Sequence, residues 1–351
     1  MKIGEIEVGR NHEPLIVAEL SGNHNQSIDR AIQLIEAAAE AGARAVKFQT
    51  YTADTMTLNL DQGEFVIADP GSLWHGRTLY DLYREAHTPW DWHERLFQRS
   101  RELGLLAFST PFDDTAVDFL EKLKVPCYKI ASFENTDLPL IRKVARTGKP
   151  VLISTGMASE TELSETVAAA REAGCKDLML LKCTSAYPST ADEANLRLIP
   201  QLREKFGVEV GLSDHSLGLA TPLVSISLGA TLIEKHFVLS RHEGGVDSAF
   251  SLEPSELKAL VEESQKAWQS LGDDKFVMPE REKKSLQFRR SLYVVEDLKA
   301  GEYFTSANVR AIRPGHGLPP KHIDAIIGCK AKTDCPQGTP LSWDLVEGHS
   351  E

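Results

Sequence analysis

The chain has 351 residues, with 39 Lys and Arg against 51 Asp and Glu, and a formal net charge of −12 at pH 7. That length suits one large domain plus a small one, and the acidic balance argues against a nucleic-acid backbone or an anionic membrane as the main partner, so any anionic ligand must be held by a local basic pocket. No run of about 18 apolar residues occurs, and the opening MKIGEIEVGRNHEP lacks the apolar stretch of a secretion signal, so the expectation is a soluble, cytoplasmic protein.

Residues 1–14 precede the first apolar run and read as a small hairpin or plug over the bottom of a barrel. Eight short apolar runs then recur: LIVAEL (15–20), AVKFQT (45–50), LLAFST (105–110), CYKIAS (127–132), PVLIST (150–155), LMLLKCTS (178–185), VEVGLSDH (208–215) and TLIEKHF (231–237). Amphipathic stretches lie between them. SIDRAIQLIEAAAEAG and SETELSETVAAAREAG each open on a Ser able to cap the first turn and close on a Gly suited to the other end. Strands apolar on both faces, each followed by a helix, predict an α/β fold, the closed (β/α)8 TIM barrel. An open doubly wound sheet would favour a glycine-rich turn after the first strand, and SGNHNQS is not one.

The segment 51–88 is too long for an ordinary connection and rich in aromatics and histidines, which marks a lid or specificity loop. His75, His87 and His93 are assigned to packing or solvent rather than to metal. Past the eighth strand, residues 272–289 are charged and break the rhythm, so the barrel domain is placed at 1–271, a linker at 272–289 and a small unit at 290–351. That unit mixes short strands with Gly and Pro turns; it is near the lower limit for a self-sufficient core and is expected to lean on another surface. The five cysteines, Cys127, Cys175, Cys183, Cys329 and Cys335, are odd in number and lack C-x-x-C spacing, so they read as reduced.

In such a barrel, catalytic groups gather where the strands end. Glu19 ends the first run; Lys47 and Gln49 the second; Ser109 and Thr110 the third; Lys129 and Ser132 the fourth; Ser154 and Thr155 the fifth. Lys182 and Thr184 end the sixth, Ser213 and His215 the seventh, Glu234 and His236 the eighth. An unpaired buried charge costs several kcal/mol, so polar ends on every strand point to a site rather than to rim pairing. Ser213 with His215, and Glu234 with His236, share an i, i+2 offset that puts each pair on one strand face. Two imidazoles on adjacent strands can reach one divalent cation and leave positions open for water and substrate oxygens. Asp214 and Asp247 are further ligand or supporting candidates. Lys47 and Lys129, with the hydroxyls of Thr110, Ser132, Ser154 and Ser213, suit a small polyanion such as a phosphorylated carboxylic acid. Glu19 and Glu234 are candidate acid and base, and either can equally be a lysine's partner. Tyr187 can stack on a sugar face or pack at the rim.

AELSGNHNQS, AVKFQTY, FSTPFD, YKIASFE, STGMAS, LKCTSAYP, VGLSDHS, IEKHF and RRSLYVVEDLKAGE…VRAIRPGHGLPP closely resemble, in order and over essentially the whole chain, the sialic acid synthase family. In that family a barrel is followed by an antifreeze-like (SAF) domain. The resemblance implies condensation of phosphoenolpyruvate with an open-chain N-acetylamino sugar, giving a nine-carbon 2-keto acid and phosphate: carbon 3 attacks the aldehyde, water adds at carbon 2, and phosphate leaves with C–O cleavage. It implies that His215 and His236 hold a divalent metal, Mn or Mg with Co as a further candidate. It implies that Lys47, Gln49, Thr110, Lys129, Ser132, Ser154 and Ser213 hold phosphoenolpyruvate, with Glu19, Glu234 and Lys129 beside the chemistry. Glu134, Ser185, Tyr187 and Asp247 complete the expected substrate-binding set, and Arg313 of the RPG motif contacts the N-acyl group. The SAF domain is expected to cross to the partner barrel in a domain-swapped homodimer.

Within the family, AELSGNH, LYDLYREAHTPWDWH, KIASFE and GVDSAFSLEP resemble the branch that makes pseudaminic acid from 2,4-diacetamido-2,4,6-trideoxy-L-altrose. The N-acetylneuraminate and legionaminate branches are the alternatives; the former often has Asn where Ser185 stands. A metal-dependent barrel hydrolase would need an H-x-H pair on an early strand, and GNHNQ offers only His24. A non-catalytic sugar-binding protein leaves the polar strand ends unexplained.

Overall fold

A computed structural model describes residues 1–273 and 275–349, and the chain forms two compact units, Met1–Gly272 and Asp273–Glu351. The first opens on an antiparallel hairpin of β1 (Lys2–Ile3) and β2 (Ile6–Glu7). Eight parallel strands come next: β3 (Leu15–Glu19), β4 (Ala45–Thr50), β5 (Leu106–Pro111), β6 (Tyr128–Ile130), β7 (Val151–Ser154), β8 (Leu178–Cys183), β9 (Glu209–Asp214) and β10 (Leu232–His236). Each pairs with its neighbours in sequence, and β10 pairs back onto β3 to close the barrel. The strands fall within the apolar runs or one residue past them.

Strand alternation explains why those runs are apolar throughout. One set of side chains, including Ile16, Val46, Phe48, Ile130, Ile153 and Leu212, packs outwards on the helices. The other, including Val17, Phe108, Leu152, Met179, Leu181 and Leu232, fills the lower barrel together with Ile3 and Val8 of the hairpin region, which therefore plugs the bottom. The helices begin where the sequence signals them. Ser27 caps Ile28–Glu40 by accepting from Arg30 N, and Ser159 forms a capping box with Glu162 on Glu160–Glu172.

Gly211 of β9 belongs to this interior: a Cβ there would stand 2.7 Å from both Leu181 Cδ2 and Leu232 O on the flanking strands. Gly211→Ala is therefore expected to destabilise the barrel by about 1–3 kcal/mol through overpacking, seen as a lowered thermal midpoint. An unchanged midpoint would show that β8 and β10 part freely.

The second unit carries β11 (Ser291–Val294) antiparallel to β12 (Val309–Ile312) around a core of Leu292, Val294, Phe304, Val309, Ile326 and Leu341. Its leading segment has short helical turns at Glu280–Lys283 and Lys284–Phe288 and exposes Phe276, Val277 and Phe288. All five cysteines are free. Among the described residues no helix is long and apolar enough to cross a membrane.

Candidate active site

Above the apolar floor the inward side chains become polar. Glu19, Lys47, Lys129, Ser213 and Glu234 form a buried layer across the barrel. Lys47 Nζ lies 3.0 Å from Glu234 Oε1 and 3.2 Å from Glu19 Oε2, and Lys129 Nζ lies 3.2 Å from Glu234 Oε1. Ser213 Oγ donates to that same Glu234 oxygen at 2.9 Å, and Gln49 Nε2 donates to Glu19 Oε1 at 3.0 Å. One oxygen of Glu234 thus receives three donors, while its Oε2 has no hydrogen-bond partner among the described residues.

The two carboxyls consequently behave differently. Burial opposes ionisation of both, but the ammonium groups of Lys129 and Lys47 hold Glu234 well below the usual carboxylate range. Glu19 is pushed up to about 7 by burial, which outweighs the pull of Lys47 and is reinforced by the Glu234 charge. Burial likewise lowers Lys129, whereas the carboxylates overcome burial at Lys47 and raise it. Neighbouring carboxyls with separated proton affinities can serve as acid and fixed anion in one site.

A cavity of about 450 Å³ opens over this layer. Ser132, Ser154, Cys183 and Ser185 line it beside His215 and His236, with Glu134, Tyr187 and Asp247 further out on the strand-end loops. The hydroxyls of Ser154 and Ser185 and Oε2 of Glu134 are buried without partners among the described residues, which equips the wall to bind a polar ligand.

Burial also pushes the Glu134 carboxyl up to about 7 from an ordinary 4.5, against the pull of Lys129. A raised carboxyl keeps its proton longer in the folded chain, so its contribution to stability is full below pH 4.5 and is lost as the pH rises towards about 7. Glu134→Gln should therefore raise the thermal midpoint at pH 8 and leave it nearly unchanged at pH 4.5. Equal shifts at the two pH values would refute a buried, proton-retaining carboxyl.

The two histidine rings have centroids 5.3 Å apart. His215 Nδ1 bonds Thr184 O at 2.8 Å and has Cys183 Sγ at 4.0 Å. His236 Nδ1 meets Ser21 Oγ at 3.4 Å and Asp247 Oδ2 at 3.7 Å. Both Nδ1 atoms are engaged, and among the described residues neither Nε2 has a hydrogen-bond partner. Such supporting contacts orient a ring so that its other nitrogen can bind metal. Burial and the neighbouring His215 hold His236 well below the usual imidazole range, so its lone pair is available. Asp247 is fixed by Asn23: Asp247 N donates to Asn23 Oδ1 at 3.3 Å, and Asn23 Nδ2 reaches Ser251 Oγ at 2.9 Å, which donates to Asp247 O at 2.6 Å.

The long segment 51–88 supplies the outer wall through Tyr51, Met56, Trp74, Leu82 and Tyr83. Trp74 Nε1 donates to Val246 O at 2.9 Å and ties this segment to the loop bearing Asp247. His93 is buried against Phe97 and Phe119 and bonds Thr50, His87 bonds Arg84 O, and His75 is exposed.

The cavity brings together Lys47, Gln49, Lys129, Ser132, Glu134, Ser154, Ser185, Tyr187, Ser213, His215, Glu234, His236 and Asp247. Glu19 and Thr110 are fully buried and do not reach its wall, and the Thr110 hydroxyl has no partner among the described residues. Arg313 lies in the second unit, exposed. The sixth barrel strand requires a correction: Lys182 and Thr184 face outwards, with Lys182 Nζ donating to Cys183 O at 2.9 Å and Thr184 Oγ1 at 3.0 Å, while Cys183 and Ser185 face the cavity. Because Leu178–Leu181 make β8 apolar on both faces up to its end, alternation within it does not tell inside from outside; its register, Cys183 opposite Ser213, does. Ser109 also faces away and bonds Thr50 Oγ1 at 2.6 Å, and Asp214 pairs with Lys235 on the outer side rather than approaching the histidines' free nitrogens. Sequence reasoning misses Cys183, and it marks the aromatic-rich segment 51–88 without naming Tyr51, Trp74 or Tyr83 as lining residues; the inward alternation that selects Ser213 would have selected Cys183 had the register been known.

The NeuB family model matches residues 34–276, and a SAF domain model matches 289–347. The pseudaminic acid synthase of Campylobacter jejuni is 44% identical over 97% of this chain and 98% of its own, and that of Helicobacter pylori 45% identical over 95% and 98%. The crystal structure of N-acetylneuraminic acid (sialic acid) synthetase from Leptospira borgpetersenii in complex with citrate superposes with a TM-score of 0.73 at 31% identity, covering 82% of this chain and 95% of that one. A closed barrel with polar strand ends, a family match across more than half of the chain and relatives aligned almost end to end lead to one assignment: the chain belongs to the NeuB family and carries a C-terminal SAF domain.

Proposed function

We propose that the chain is a pseudaminic acid synthase, a transferase that condenses phosphoenolpyruvate with 2,4-diacetamido-2,4,6-trideoxy-L-altrose and water to give pseudaminic acid and phosphate. The observation that carries this reading is the near full-length identity of 44–45% to two pseudaminic acid synthases, against 31% to the sialic acid synthetase. The site chemistry agrees with it. The ammonium groups of Lys47 and Lys129, Gln49 and the hydroxyls of Ser132, Ser154 and Ser213 offer positive charge and donors to a phosphorylated carboxylate. Thr110 and Ser185 lie close behind or beside them, and Ser185 stands ready to donate from the wall. Glu234 stays ionised and holds both lysines in place, while Glu19, whose carboxyl sits near 7, can hold or release a proton beside them.

His215 and His236 fit a divalent cation, Mn or Mg with Co as a further candidate, because both free Nε2 atoms belong to rings oriented from behind. When bound, such a cation supplies Lewis-acid polarisation of the sugar aldehyde oxygen. Tyr51, Trp74, Tyr83 and Tyr187 form an aromatic wall suited to the acetamido methyls and to a carbon 6 without hydroxyl, and Glu134 and Asp247 suit the amide N–H groups. Arg313 contacts the N-acyl group from a domain-swapped partner. That homodimer is supported by the exposed Phe133, Met157 and Leu217, which come after β6, β7 and β9 on the barrel's site-bearing face and are 63%, 62% and 58% exposed.

The test is phosphate and keto-acid release from phosphoenolpyruvate and Mn with a panel of the altrose derivative, N-acetylmannosamine and the diacetamido mannose analogue. The altrose derivative should be turned over fastest. Faster turnover of another sugar would move the chain to another branch, and no phosphate from any would end the synthase reading.

A further inference from the structure

A second buried ion pair stands on the outer face of the barrel, directly behind the two histidines. His215 and His236 point into the cavity, so the alternation of β9 and β10 turns Asp214 and Lys235 outwards, where they are partners across the two strands. Lys235 Nζ lies 2.9 Å from Asp214 Oδ2, with side-chain exposures of 0% and 4%. Lys235 Nζ also donates to Ser216 O. Asp214 in turn accepts from Ser216 N and Ser216 Oγ, each at 3.0 Å. The carboxylate therefore closes an Asx-turn whose middle residue is His215, and the lysine gripping that turn directly precedes His236.

A buried ion pair is a poor source of stability, because desolvation offsets its attraction and a well-packed apolar pair serves as well. An apolar pair would not fix the turn at Ser216 or hold the ends of β9 and β10 in one relative geometry. We propose that Asp214 and Lys235 are positioning residues that set the separation and orientation of His215 and His236, and thereby the affinity of that pair for a divalent cation. The inference rests on reading the histidines as a metal pair. Metal–nitrogen distances are confined to about 2.0–2.1 Å for a cation such as zinc, so a small displacement of either ring matters. Supporting residues of this kind change metal affinity by about 10–100-fold.

The decisive protein is the full chain with Asp214→Leu and Lys235→Met together, which replaces the pair by apolar groups. Its thermal midpoint, its Mn affinity without substrates from the electron paramagnetic resonance signal of free Mn, and its crystal structure are compared with those of the unaltered chain. We expect a folded protein that binds Mn about 10–100-fold more weakly and whose imidazoles have moved. Mn affinity within roughly twofold of the original, with the rings unmoved, would overturn the inference. If the unaltered chain binds no Mn, the metal reading fails by itself, and the ring positions then decide: moved rings sustain the positioning role and unmoved rings end it. Should the double variant not fold, Asp214→Asn, which keeps the turn acceptor and removes the charge, is judged by the same two criteria.

Discussion

Replacing His215 or His236 with Ala should lower kcat by about 10²–10⁴-fold, because polarising an aldehyde oxygen is worth several kcal/mol in the transition state and each 1.36 kcal/mol is tenfold in rate. The fold should survive. Each ring contributes one hydrogen bond through Nδ1, to Thr184 O or towards Ser21 Oγ, and a bond of that kind is worth about 1 kcal/mol net. Steady-state rates with excess Mn, together with thermal midpoints, separate the two effects. A folded variant retaining most of its turnover would remove the histidine pair from the mechanism.

Glu234→Ala is expected to cause the largest loss of stability, about 3–5 kcal/mol, because it leaves buried ammonium groups without their counter-charge. Lys129 loses its partner at 3.2 Å, Ser213 loses its acceptor, and Lys47 keeps only Glu19. Glu234→Gln retains an acceptor for Ser213 but no charge, so it should fall between the two. The pH dependence has a definite sign: Glu234 is held below its ordinary 4.5, so its contribution is full above that pH and is lost as the pH falls towards the depressed value. Urea unfolding at neutral and acid pH should accordingly show the gap between the unaltered chain and Glu234→Ala narrowing in acid. A constant gap would mean that the three donors on one Glu234 oxygen do not act through its charge. Turnover should fall in both variants, since the same carboxylate holds Lys47 and Lys129, the lysines proposed to bind phosphoenolpyruvate.

The eight barrel strands, the caps at Ser27 and Ser159, and the shared faces of Ser213 with His215 and Glu234 with His236 are all legible in the amino-acid sequence. These depend on periodicity and neighbouring backbone groups, which are local. Family resemblance added a chemistry for the polar strand ends, and the near full-length relatives support it. The closed barrel alone settles that Cys183 rather than Lys182 faces the cavity, since Leu178–Leu181 are apolar on both sides and the orientation of β8 comes from pairing with β9. It also decided that Glu234 takes both lysines while Glu19 is driven towards neutrality, because that division arises from approaches between strands far apart in sequence. The length and composition of 51–88 mark it as a lid or specificity loop, but which of its side chains line the cavity, and the Asp214–Lys235 pair behind the histidines, were illegible for the same reason. Alternation along a strand names the residues that share a face, but charge and packing act through distances that exist only once the barrel has closed.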